Sequence, residues 1–96
     1  MNRKYELMII IDPDEPEKRV LHAVGKLLTD AQLQVASQDV WGLRTLSYPI
    51  NKKKRGRYAV LSLDAQNSPN IAELKRELLM QDGIMRHMVR KSQSSK

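Results

Sequence analysis

The amino-acid sequence predicts one small α+β domain whose elements follow one another as β-α-β-β-α-β. Three observations carry that expectation. Apolar residues alternate at strand spacing near residues 4–11, 34–50, 57–64 and 84–90, two other stretches carry them at helical spacing, and the breaks between are rich in Pro, Gly, Asn and Asp. With 96 residues, 41% of them hydrophobic, the chain can build one core but not two. The domain is expected to span residues 1–92, with residues 93–96 as a flexible polar tail.

The first strand runs from Lys4 to Ile11, with Tyr5, Leu7, Ile9 and Ile11 on one face and Glu6, Met8 and Ile10 on the other. Both faces are apolar beyond Glu6, which suits a central strand. Asp12-Pro13-Asp14-Glu15-Pro16 then combines prolines with carboxylates, which favour the positive end of a following helix. Val20, Leu21, Val24, Leu27, Leu28 and Ala31 form the apolar stripe of that helix, and His22 lies off it as a surface residue.

Gln34 to Ile50 carries β-branched and aromatic residues at strand spacing, with a bulge expected near Gly42. The polar segment from Asn51 to Gly56 is expected to be a hairpin loop leading into a third strand, Arg57 to Asp64. Ala59, Leu61 and Leu63 share one face of that strand and Tyr58, Val60 and Ser62 the other. Asn67-Ser68-Pro69 suggests a second helix with Ser68 as N-cap and Pro69 at the first helical position, burying Ile71, Leu74 and Leu78. Asp82-Gly83 ends it, and Ile84 to Arg90 forms a last, basic strand.

Two split βαβ halves in this order give the ferredoxin-like fold: a four-stranded antiparallel sheet with both helices on one face and the other face open. The fold does not itself specify a function. Chemistry finds few footholds in the sequence. There is no cysteine, no Gly-rich phosphate loop and no nucleophile elbow, and the two histidines, His22 and His87, are far apart, so neither an enzyme nor a metal or other cofactor is expected. The loop after the first strand, which holds phosphate in acylphosphatases of this fold, is acidic here and repels an anion. The apolar run Leu7 to Ile11 is too short for a signal peptide or membrane span, so a soluble cytosolic protein, or its organellar equivalent, is expected.

Charge points to a polyanionic partner. Seventeen Lys and Arg against eleven Asp and Glu leave a formal charge of +6, and the cations fall in separate segments rather than evenly. Lys52, Lys53, Lys54, Arg55 and Arg57 sit in or beside the expected hairpin loop, Arg3 and Lys4 open the first strand, and Arg86, His87, Arg90 and Lys91 lie on or beside the last. Three basic segments on one small domain suit phosphate contacts, which gain free energy from counterion release. The open sheet face offers Met8, Ile10, Tyr58 and Val60. With a single stacking aromatic, that face is expected to cover a protein partner rather than to read bases.

Lys4-Tyr5-Glu6, then Gly42-Leu43-Arg44-Thr45-Leu46-Ser47-Tyr48-Pro49-Ile50 with Lys52 and Tyr58, and Ile84-Met85-Arg86-His87-Met88-Val89 with Lys91 resemble the family of the sixth protein of the bacterial small ribosomal subunit. The resemblance covers nearly the whole chain. It implies a non-catalytic ribosomal component that binds small-subunit ribosomal RNA together with the small basic eighteenth protein. The family's RNA-facing positions correspond to Arg3, Arg86, His87 and Lys91, while Arg44 falls inside the strand motif and could equally pair with a carboxylate. Two departures stand out: Trp41 occupies a place where a polar residue is expected, and the chain ends at Lys96 without the acidic extension of some members, so tail modification is not expected. The competing classes are a free-standing small-molecule sensor or enzyme of the same fold and a single-stranded nucleic-acid binder outside the ribosome.

Overall fold

The computed structural model describes residues 3–50, 52–65 and 69–91. Its elements are β1 (Arg3–Ile11), α1 (Glu17–Asp30), β2 (Gln34–Ile50), β3 (Lys53–Ala65), α2 (Ile71–Met80) and β4 (Ile84–Lys91). The strands form one antiparallel sheet in the order β2-β3-β1-β4. This is the ferredoxin-like arrangement.

Strand alternation decides the core. Leu7, Ile9 and Ile11 of β1 face the same way as Ala59, Leu61 and Leu63 of β3, and Val20, Val24 and Leu28 of α1 with Leu74 and Leu78 of α2 pack onto them in one cluster. Both helices therefore cover one face of the sheet. Truncating a fully buried leucine of this cluster to alanine costs about 2–5 kcal/mol, a large part of the stability of a small domain.

Helix α1 starts after Pro16, which supplies no side-chain cap, so the carboxylate of Glu17 in the first turn is what complements the helix end. Helix α2 is capped instead by Asn70, whose Oδ1 accepts from Glu73 N at 3.1 Å. It therefore begins after Asn70 rather than at the expected Pro69, and Ser68 lies outside the described residues. After α2, Gly83 at φ +93° turns the chain into β4. A Cβ there would also come within 2.7 Å of Val20 Cγ2, so glycine is required twice over.

The β2–β3 hairpin differs most from expectation. Lys53 to Gly56 belong to β3, so the connecting segment is far shorter than the expected loop; its first residue, Asn51, lies outside the described residues. Thr45 pairs with Arg55 and Ile50 with Lys53, which leaves residues 46–49 opposite Lys54 alone. Those surplus residues loop out of the ladder over the open sheet face. Further register shifts lie between Val35 and Ser37 and between Val40 and Gly42, the latter with Gly42 at φ +89°, where a bulge was expected.

Candidate nucleic-acid and partner interface

The register sorts the basic residues into two groups. Tyr5 pairs with Lys91 and Glu6 with Arg90, so Arg3, Lys4, Arg90 and Lys91 gather at one end of the sheet. Ile10 pairs with Arg86 and Ile11 with Arg57, so Arg86 belongs with the hairpin cations at the other end. Strand rise puts roughly 20–25 Å between the groups.

Several of these cations are neutralised internally. Lys4 meets Asp64 at 3.4 Å, Arg90 meets Glu6 at 2.6 Å and Arg57 meets Glu17 at 3.8 Å. Lys53 bridges Asp12 at 3.1 Å and Asp14, tying the acidic loop after β1 to the base of the hairpin. The backbone N–H of Asp14, donated to Asp12 Oδ1 at 2.9 Å, holds the Asp12 carboxyl below its usual range; burial opposes this, and the hydrogen bond and charge of Lys53 add to the lowering. The two carboxylates in turn raise Lys53. Lys52, Lys54, Arg55, Arg44 and Lys91 are exposed and make no ion pair among the described residues. The carboxylate that Arg44 was free to take is absent from that set.

His87 lies on the helix side of the sheet, since it pairs with Ile9 of the core. Partial burial, and then the charge of Lys75, push its imidazole below the usual range, so at neutral pH it is a neutral hydrogen-bonding group rather than a cation. His22 is exposed, as expected from its place off the stripe.

The open face departs from expectation at both ends. Ile10, expected in the exposed patch, is only 5% exposed and Leu46 only 9%, because residues 46–49 arch over the sheet and place Leu46 beside Ile10. Gly56 makes room for that contact: a Cβ on it would fall onto Ile10 Cγ2. The arch is fastened to β4, where Arg86 Nη1 donates to Tyr48 Oη at 3.1 Å and the guanidinium lies 5.6 Å from the Tyr48 ring centroid. The same contact holds the Tyr48 hydroxyl below its usual pKa.

At the other end, Trp41 lies where the β2 register shifts, and it stacks on Tyr58 with centroids 6.1 Å apart and planes 13° from parallel. Its Nε1 donates to Asp39 Oδ2 at 2.9 Å. The face therefore holds two stacked aromatics and not one. Between Trp41 and Met88 runs a groove of about 240 Å³ floored by Met8 and Val60 and flanked by the Glu6–Arg90 pair. Met88 lies directly opposite Met8 and is half exposed. Trp41, Met88 and Tyr48 were missed as members of this face. Alternation from Met8 gives Met88 once the β1–β4 register is known, but the other two depend on register shifts that no local pattern prints.

Among the described residues, no group of three or more His, Asp or Glu side chains is placed to hold a metal ion, and no helix is long and apolar enough to cross a membrane. The acidic loop that repels an anion in the sequence reading is engaged by Lys53, which accounts for those carboxylates as structural partners.

The family model described as Ribosomal protein S6 matches residues 4–91. Small ribosomal subunit protein bS6 of Corynebacterium efficiens is 44% identical over 90 residues, 91% of this chain and 94% of that protein. The bS6 protein of Corynebacterium glutamicum is 43% identical over the same proportions of both. The crystal structure of 30S ribosomal protein S6 from Thermotoga maritima superposes with a TM-score of 0.85 at 25% identity, covering 96% of this chain and 89% of that one. A sheet order, a strand motif before a basic hairpin and a match along nearly the whole length agree, and the chain belongs to the ribosomal protein S6 family.

Proposed function

We propose that this protein is a structural constituent of the small ribosomal subunit that binds small-subunit ribosomal RNA jointly with the small basic eighteenth protein, without catalysing a reaction. The bacterial family places its work on the cytoplasmic ribosome. The observation that carries the RNA part is the set of exposed cations with no carboxylate partner among the described residues: Lys52, Lys54, Arg55 and Arg44 on the hairpin arm, and Lys91 on β4. Arg86, held by the Tyr48 phenol, keeps its charge and joins them. Lys4, Arg57 and Arg90 form a reserve, because ion pairs within reach of water are weak and can be exchanged for phosphate contacts, whereas Lys53 is committed to Asp12 and Asp14. Arg3 and the neutral His87 extend the surface at either end of the sheet.

The protein partner is assigned to the open face, where Met8, Val60 and Tyr58 with Met88 present apolar surface between charged borders. The test is reconstitution. Tagged protein should co-sediment with small subunits in low salt, and its affinity for the isolated RNA should rise when the eighteenth protein is added. Absence from the small-subunit fractions, together with a ligand-dependent thermal shift, would assign the chain to a free-standing sensor instead.

A further inference from the structure

We propose that Trp41, Tyr58 and Arg44 form a stacking subsite for one unpaired base of single-stranded RNA, a contact distinct from phosphate binding by the basic groups; it rests on the RNA-binding reading above.

Trp41 is held in place before any ligand arrives. It is 47% exposed, an unusual state for a tryptophan, yet three features fix it: the register shift that turns it onto the open face, the stack on Tyr58, and the hydrogen bond from its Nε1 to Asp39. A side chain immobilised before binding loses little rotamer entropy when a ligand lands on it. One ring face of the indole is taken by Tyr58. Beside the stack lies an open concavity of about 470 Å³ lined by Trp41, Tyr58 and Arg44, large enough for a nucleoside.

Charge selects the occupant. Arg44 lies on the same face, since it pairs with Gly56 two residues before Tyr58, and it makes no ion pair among the described residues. An aromatic platform beside an unneutralised guanidinium matches a base and its phosphate, and it disfavours a cationic side chain of a basic protein. A paired duplex offers no such base, because its ring faces are already stacked.

Trp41 is the chain's single tryptophan, so selectively excited tryptophan fluorescence reports on this one side chain. The full chain is titrated in low salt with a short oligoadenylate strand and with a fully paired RNA duplex of equal phosphate number, and binding is followed independently by anisotropy of labelled RNA. The expected result is quenching by the single strand and binding without quenching by the duplex. Trp41→Ala should weaken single-strand binding by roughly five- to a hundredfold, the range that one base–aromatic stack supplies, and leave duplex binding unchanged. Trp41→Phe should restore most of the loss. Single-strand binding with unaltered fluorescence overturns the subsite, as does an equal loss for both RNAs. A Trp41→Ala protein that binds RNA normally but fails in joint assembly with the eighteenth protein assigns the tryptophan to that interface and also overturns it. If neither RNA binds, the subsite is overturned, while joint binding of small-subunit RNA with the eighteenth protein is decided separately by the reconstitution described above.

Discussion

Arg86 Nη1 donates to Tyr48 Oη at 3.1 Å, and this contact joins β4 to β2, the two outer strands of the sheet, across its open face. It closes the arch of residues 46–49 over Ile10. Replacing either residue by Ala should remove the same fastening, so a double-mutant cycle in urea unfolding is expected to give losses that are less than additive. Additive losses would mean that the arch is held by Leu46 alone.

Gly56→Ala tests the arch from beneath. The glycine backbone is not in the left-handed region, so alanine adds no backbone strain, but its Cβ would collide with Ile10. Overpacking of this kind costs about 1–3 kcal/mol. Amide exchange should quicken in residues 44–56 while the core strands keep their protection, which separates a lifted arch from general unfolding.

The order of elements and the helix-side core were legible because alternation in Leu7-Ile9-Ile11 and Ala59-Leu61-Leu63 and helical spacing in Val20-Val24-Leu28 are local patterns, repeated over several turns or pleats. The hairpin was not. Lys52 to Gly56 is polar and carries a glycine, which reads as a loop, yet Lys53 is fixed in β3 by carboxylates forty residues away and Gly56 is a spacer for Ile10. Such reasons are tertiary. The same holds for Ile10, whose alternation correctly assigns it to the open face but says nothing of four residues of β2 folding back over it. The basic segments were visible in composition, while the sorting into paired and unpaired cations needed the register.

The Asp12–Lys53–Asp14 cluster predicts an acid-sensitive contribution to stability. The folded-state pKa of Asp12 is lowered, so its contribution is fully present above the unfolded value, near about 3.9, and is lost as pH falls through the lower folded value. The principal hydrogen bond comes from the Asp14 backbone and persists without the lysine. Lys53→Met should therefore reduce the Asp12 part of the pH dependence below about 4 without abolishing it, whereas Asp12→Asn should remove that part and leave the part due to Glu73, whose carboxyl Arg76 also holds below its usual range. Urea midpoints measured between neutral and strongly acidic pH decide this, and an unchanged acid slope in Asp12→Asn would place the sensitivity elsewhere.

On the hairpin, neutralising Lys52, Lys54 and Arg55 together should reduce the salt dependence of RNA binding by up to about two units of logarithmic slope, at roughly 0.7 per phosphate contact for a single strand. Lys53→Ala alone should change it little, because its charge is already shared by two carboxylates. The contrast separates cations that face solvent from one that serves the fold. Equal effects from Lys53 and its neighbours would show that RNA displaces the acidic loop.

Met8 and Val60 floor the groove between Trp41 and Met88, and both are half-buried rather than part of the core beneath the helices. Met8→Asp or Val60→Asp places a carboxylate where water can still reach it in the free domain, so the cost to folding should be modest, on the order of 1–2 kcal/mol. In a closed interface the same carboxylate must shed its hydration without a partner, which costs several kcal/mol and should abolish joint assembly with the eighteenth protein. Arg90 is near enough to matter, but it is already engaged by Glu6, so it offers the new charge little relief. Circular dichroism and thermal melting establish the fold of each variant, and titration with the partner and RNA, separately and together, reads the assembly. A folded Val60→Asp protein that still assembles cooperatively would move the partner off this face, and an unfolded one would move Val60 into the core. Loss of cooperative binding with a near-normal melt and unchanged affinity for RNA alone is the outcome that the groove, its apolar floor and its satisfied borders predict.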